Sequence, residues 1–363
     1  MKITIFGLTV SSSWGNGHAT PYRALLRALH RMGHRIVFFE RDVPYYARRR
    51  DLSSADFCDL VLYSNWDAVR AHARADASDS DAVIHASYCV EGARIIDELA
   101  DVTRPLRIFY DLDTPITLEK LTAGTEYLRA EQVPGFDLYL SWCGGGLLGE
   151  IEHRWGARKA LPLYGCVDPS VHTRVVVPDE YRCLMSYMGT YAADRQQKLE
   201  TLFLEPVRRR PQDTFVLAGS MYPQETEWPA NLRRWEHVSP HDHPALYSGS
   251  RFTLNLTRGA MARGGYCPSG RLFEAAACAT PIISDWFEGL NHFFAPGEEI
   301  FVVHDTDDVL GALDASDEQL ALVAKQARER TLAEHSGDRR AAQLVSYLED
   351  ATARRARAVA EVA

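Results

Sequence analysis

The chain opens on an apolar run at residues 3–8, a loop rich in Ser and Gly, a Thr20-Pro21 pair and a second apolar run at 36–39. Thr followed by Pro marks a helix start. The hydroxyl accepts from an orphan N–H, and proline lacks a donor where none is needed. Leu25, Leu26, Leu29 and Met32 then repeat at helical spacing and Gly33 stops the helix. A strand, a helix and a strand of these lengths predict a right-handed βαβ unit with parallel strands. Its first loop lies at the carboxyl end of the first strand, where open α/β sheets bind ligands. This unit restricts the possible folds more than any other feature of the sequence.

The pattern recurs. Further strands are expected at 60–63, 82–85, 106–110 and 138–141, and Pro and Gly punctuate 161–169, where a linker is expected. A second series begins with a strand at 183–188 that ends in Gly189-Thr190-Tyr191. A helix over 194–210 follows, with strands at 214–219, 252–256 and 281–284, and the chain is helical from about 317. With 363 residues, two domains of ordinary size are expected, at 1–167 and 168–338, followed by a helix over 339–363.

A charged fraction of 25% beside 46% hydrophobic residues is that of a globular protein. The net charge of -9 argues against a dedicated nucleic-acid binder, which would carry a basic field. The 7 cysteines are scattered without any Cys-x-x-Cys pairing, which fits reduced thiols better than a disulfide frame or a zinc site. No basic-then-apolar signal region opens the chain, and no apolar run approaches the roughly 18 residues that span a bilayer. A cytoplasmic location without a membrane span is the expectation.

The segment at 268–285 carries the clearest chemistry. Pro268-Ser269-Gly270 opens a short helix, Arg271 follows, Glu274 lies about one turn further, and a buried strand ends at Ser284-Asp285. A helix start offers unpaired N–H groups and a positive dipole end to a phosphate. Arg271 adds a fork of donors able to hold two phosphate oxygens. Glu274 can accept from the two hydroxyls of a ribose. Together they describe a nucleotide site.

The run Pro-Ser-Gly-Arg-Leu-Phe-Glu-Ala-Ala-Ala-Cys at 268–278 resembles the donor-binding element of glycosyltransferases of the GT-B fold. Within these it is most similar to the CgeB-like group, named for a spore-maturation protein. The resemblance implies an α/β fold of two facing Rossmann-like domains with an inter-domain cleft. It also implies a C-terminal helix that crosses back to the N-terminal domain. The implied activity is transfer of a sugar from a UDP- or dTDP-sugar to an acceptor hydroxyl. The nucleotide sugar is then a co-substrate, with no separate cofactor and no required metal. On the donor side the resemblance assigns Ser269, Gly270, Arg271 and Glu274, the loop Gly189-Thr190-Tyr191, and backbone at His237 and Val238 to read the base. Arg258 and Arg263 either neutralise diphosphate charge or are solvated loop arginines. Asp285 and Glu288 are candidates for sugar hydroxyls. Many retaining members of the fold class carry a glutamate where Tyr266 stands here, eight positions before Glu274, so its role does not transfer.

The loop Trp14-Gly15-Asn16-Gly17-His18-Ala19-Thr20-Pro21 resembles the Gly-His-x-x-Pro element of inverting GT-B enzymes, in which the histidine is the general base. Imidazole suits that work because its ordinary pKa lies near neutrality. His18 is thus the candidate base, or else a helix cap or phosphate ligand, with Asn16 and Gly17 beside the acceptor. Asp111 or Asp113, after the strand at 106–110, would orient the imidazole. Two rival readings remain. Gly15-x-Gly17 with Glu40 mimics the fingerprint of an NAD(P)-dependent oxidoreductase, although Thr20 stands at the third glycine's place. A catalytically inactive GT-B surface or assembly protein is the other.

Overall fold

The computed structural model describes residues 1–52 and 54–362. The chain forms two compact units. The first comprises Met1–Ser13, His18–Gly165 and the chain from Gly337 onward; the second comprises Trp14–Gly17 and Cys166–Ser336. The division therefore falls after Gly165 rather than after 167, and four residues of the first loop, among them Asn16 and Gly17, are counted with the second unit.

The first unit is built on β1 (Lys2–Gly7), β2 (Arg35–Arg41), β3 (Asp59–Tyr63), β4 (Ala82–Ala86), β5 (Leu106–Asp111), β6 (Leu138–Ser141) and β7 (Ala160–Pro162). They form one parallel sheet in the order β3-β2-β1-β4-β5-β6-β7. At its centre Ile3 lies opposite both Ile36 and Ala82. Strands covered on both faces read as continuous apolar runs, which is why the sequence shows them plainly. β7 overlaps the start of the expected linker. It is three residues long and ends in Pro162, a residue tolerated in a sheet only at the edge, so neither length nor composition announces it.

The helix Gly337–Val362 belongs to this unit and begins two residues earlier than expected. Ala341, Leu344, Leu348 and Ala351 form its buried stripe. Gly337 lies so close to the helix Ala19–Arg31 that a Cβ there would sit 2.6 Å from the carbonyl oxygen of Ala24. Arg340 Nε donates to the Tyr164 carbonyl at 3.0 Å, and Tyr347 Oη to that of Pro162 at 3.1 Å.

The second unit carries β8 (Cys183–Met188), β9 (Phe215–Ala218), β10 (Leu232–Trp235), β11 (Ser250–Asn255), β12 (Ile282–Asp285) and β13 (Phe301–Val303). All are parallel, in the order β10-β9-β8-β11-β12-β13. β10 and β13 were not anticipated: both are short edge strands, and β10 exposes Arg233 and Arg234. The helix expected over 194–210 is broken by a wide π turn at Glu200–Leu204, just before Pro206, which has no N–H to continue the ladder.

Each sheet places its first strand beside its second and fourth, which creates a switch point where ligands bind at the carboxyl ends. In the second unit the loops at that point follow β8 and β11. In the first they follow β1 and β4. No helix among the described residues is long and apolar enough to cross a membrane. None of the cysteines is in a disulfide, and only Cys58 is not buried.

Candidate functional site

After β8 the chain turns at Gly189. Its N–H bonds the Ala218 carbonyl at 2.8 Å, and its own carbonyl accepts from Tyr222 Oη at 3.1 Å. A Cβ at Gly189 would lie 2.6 Å from Tyr187 Oη and 3.2 Å from Arg271 Nη2, and one at Gly219 only 2.0 Å from the Gly189 carbonyl oxygen. Glycine is therefore required twice, to let two loops and a guanidinium approach one another. Arg271 is held over the Tyr187 ring, 5.3 Å from its centroid, and donates to Asn255 Oδ1 at 3.0 Å. Arg195, which sequence reasoning missed, bonds the Thr190 carbonyl.

The two arginines make a cationic pocket. Among the described residues neither forms an ion pair. The carboxylates of the neighbouring loops are already engaged: Asp285 by Lys198, and Asp194 by the Gly259 N–H at 2.8 Å and by Arg258 at 3.9 Å. The Nε atoms of Arg195 and Arg271 are buried without a hydrogen-bond partner. Burial, and then repulsion by Arg271 and Arg258, hold the Arg195 guanidinium below its ordinary pKa. Ser269 takes the N-cap of the helix Gly270–Ala277 in extended conformation, but its side chain does not cap. The first N–H groups of that helix are thus left for another acceptor.

One turn along the same helix, Glu274 is 5% exposed. Tyr247 Oη donates to its Oε2 at 3.3 Å, His243 Nδ1 stands 3.4 Å from Oε2, and His172 Nε2 lies 4.0 Å from Oε1. Burial alone would raise its carboxyl, but the bond to His243 and the nearby imidazoles outweigh it and hold the group down at about 2. His172 is itself buried and pushed down to about 4 by desolvation. Neither histidine was singled out in the sequence.

The remaining candidates of this unit are scattered. Asp285 accepts from the Thr257 N–H and hydroxyl, both at 2.9 Å, and from Lys198, so it is occupied in holding two loops together. Glu288 is exposed and its carbonyl accepts the Tyr266 N–H; Tyr266 itself sits at φ 46°. Arg263 is exposed in the last turn of the helix Gly259–Gly264. His237 and Val238 follow β10, with Val238 buried. Tyr191 bonds the Ser220 carbonyl at 3.0 Å.

In the first unit, His18 takes the N-cap of the helix Ala19–Arg31, two residues before the expected cap at Thr20, and its ring makes no cap bond. Its Nε2 lies 3.5 Å from Asp113 Oδ2, which also accepts from Tyr88 Oη at 2.7 Å. The imidazole stacks on Tyr88 at 5.7 Å and packs against Trp142 at 5.3 Å. Asp111 is elsewhere: fully buried, accepting from Tyr139 Oη at 2.6 Å and Thr117 Oγ1 at 2.8 Å. Desolvation raises its carboxyl to about 6. The structure thus brings Asp113, and not Asp111, to His18. Glu40 is also consumed locally, by the Thr9 hydroxyl and the Val10 and Ser11 N–H groups at 2.8–3.0 Å. The Ser11 hydroxyl also donates to Oε1, so all four acceptor positions are taken and none is left for a dinucleotide ribose, which removes the main support of the oxidoreductase reading.

Residues 195–346 match the family model described as "Glycosyl transferase-like". No curated protein matches the chain by sequence. Among solved structures, Anabaena Alr3699/HepE in complex with UDP and glucose is similar at TM-score 0.68 and 10% identity, covering 96% of this chain and 100% of that one. Sucrose-phosphate synthase from Thermosynechococcus elongatus gives 0.66 and 12%, covering 97% and 99%. An alpha-glucosyltransferase in complex with UDP-glucose and DNA containing an abasic site gives 0.70 and 13%, covering 93% and 96%. At such identities the likeness speaks for the fold. The family match over residues 195–346, together with two parallel sheets of GT-B type, supports a glycosyltransferase.

Proposed function

We propose that the enzyme moves a sugar from a uridine-type nucleoside-diphosphate-sugar to a hydroxyl of a small-molecule or glycan acceptor in the cytoplasm. The observation that carries this reading is the uncompensated Arg195–Arg271 pair beside Gly189, at the switch point of the second sheet. The negative charge that grows on a departing nucleoside diphosphate is what two preorganised guanidinium groups and a helix start stabilise. Cations of the chain then occupy the place a divalent ion would take, so transfer proceeds without a metal on the diphosphate. Glu274 keeps acceptor capacity on Oε1 for ribose, since a carboxylate offers about four acceptor positions. Backbone at His237 and Val238 meets the base. His18, oriented by Asp113, removes the proton of the acceptor hydroxyl. The CgeB-like assignment rests on residues 268–278 alone. Uridine is preferred to thymidine because similar structures are described with UDP or UDP-glucose. DNA, present in one of them, is a poor acceptor for a chain of net charge -9.

Calorimetry against UDP, dTDP, GDP and NADH tests the reading. UDP binding that Arg271→Ala abolishes is expected. Binding of NADH alone, or UDP affinity unchanged in Arg271→Ala, would overturn it.

A further inference from the structure

We propose that His172, His243 and Glu274 form a binding site for one transition-metal dication of the zinc type, one helical turn beyond Arg271. The three ligands come from separate elements. His172 lies in the segment after Asp168, whose carbonyl accepts its N–H at 2.8 Å. His243 is the first residue of the helix His243–Gly249, and Glu274 lies within Gly270–Ala277. One donor atom from each residue lies within 4.8 Å of the other two. Zinc bonds to nitrogen and oxygen of about 2.0–2.1 Å imply ligand separations of roughly 3.3 Å in a tetrahedron. His243 Nδ1 stands 3.4 Å from Glu274 Oε2, matching that figure, and His172 Nε2 stands 4.0 Å from Oε1, so each imidazole faces one of the two carboxylate oxygens.

An independent observation points the same way. His172 is 1% exposed, and neither of its ring nitrogens has a hydrogen-bond partner. Buried polar atoms are rarely left unmade, because desolvation is not recovered. Two imidazoles and a carboxylate are a donor set that zinc takes, with the fourth position left to water. Tyr247, bonded to Glu274 Oε2 at 3.3 Å, supplies the outer contact that orients such a carboxylate. The site shares Glu274 with the donor reading but does not depend on it. It uses no cysteine, and its ligands are 71 and 31 positions apart (243−172 and 274−243), so no spacing motif reveals it.

The test uses full-length protein without a histidine tag. Elemental analysis after gel filtration is expected to find one equivalent of zinc. Cobalt(II) substituted for it is expected to give visible d–d bands, lost in His243→Gln and in Glu274→Gln. Zinc is expected to raise the melting temperature of chelator-treated wild type but not of His243→Gln. A folded wild type that holds no zinc and gives no cobalt bands overturns the proposal, as do bands that persist in both variants. UDP calorimetry on the same samples reports the donor site separately.

Discussion

Arg195→Gln separates a binding role from a structural one, because only the first predicts a loss of UDP affinity out of proportion to any change in stability. In the unliganded protein Arg195 contributes one hydrogen bond from a charged donor, to the Thr190 carbonyl, worth about 1.5–3 kcal/mol. Against this stand a buried Nε without a partner, at a cost of about 1–3 kcal/mol, and the repulsion of Arg271 and Arg258. Removing the charge should therefore leave stability within ~2 kcal/mol of wild type. In a domain of this size that is a shift of roughly 4–8 °C in melting temperature at most. Binding falls whichever way stability moves. A charge-assisted bond to a phosphate oxygen is worth about 1.5–3 kcal/mol, so UDP affinity should fall by roughly 10- to 150-fold. Thermal melting with and without UDP, together with calorimetry, reads both quantities in one preparation. A variant that binds UDP as wild type does, or loses affinity only as it loses stability, would refute the reasoning.

Four further outcomes follow from the geometry. Gly189→Ala forces a methyl group to 2.6 Å from Tyr187 Oη and toward Arg271, so UDP affinity should drop at least tenfold by calorimetry, about 1.4 kcal/mol. His18→Ala and Asp113→Asn should each lower kcat by about 10²–10⁴ while leaving the UDP dissociation constant unchanged, as measured by steady-state kinetics and calorimetry. Asp111 titrates near 3.8 in the unfolded chain and, raised by desolvation, at about 6 in the fold. The folded form then holds the extra proton between these values, so this group's stability is complete below pH ~4 and is lost as pH rises through ~6, about 3 kcal/mol in all; urea melts of wild type should show that slope and those of Asp111→Asn should not. Leu344→Ala empties a 1%-exposed position on the terminal helix and should cost about 2–5 kcal/mol in a denaturant melt, without altering UDP affinity.

The two aspartates show where sequence reasoning ran out. Asp111 and Asp113 stand two positions apart and looked equivalent. Asp111 still belongs to β5, in register with Ser141, and Tyr139 of the next strand closes over it. Asp113 lies past the strand end, at the N-cap of the helix Thr114–Leu121, where His18 can reach it. Nothing in the local pattern says that a strand stops between them. Arg195 was invisible for a related reason: it sat inside an expected helix of Arg, Gln and Lys, whereas it closes a separate 3-10 turn at Ala193–Arg195, from which its guanidinium reaches the Thr190 carbonyl.

What the sequence determined by itself was the periodic part of the protein. Apolar runs buried on both faces, helix stripes such as Leu25-Leu26-Leu29, and the Pro-Ser-Gly-Arg helix start are local patterns set by backbone geometry and hydrophobic burial. From these the parallel α/β architecture and the phosphate-seeking helix at 270–277 were readable. Tertiary structure alone decided which charges go unpaired and which imidazoles meet a carboxylate. Asp285 is spent on Lys198, 87 positions away, while Glu274 gathers His172 across 102. Such contacts follow from strand order and loop closure over long separations. Electrostatic energy depends on distance and desolvation in space, and neither is written in the spacing of residues along the chain.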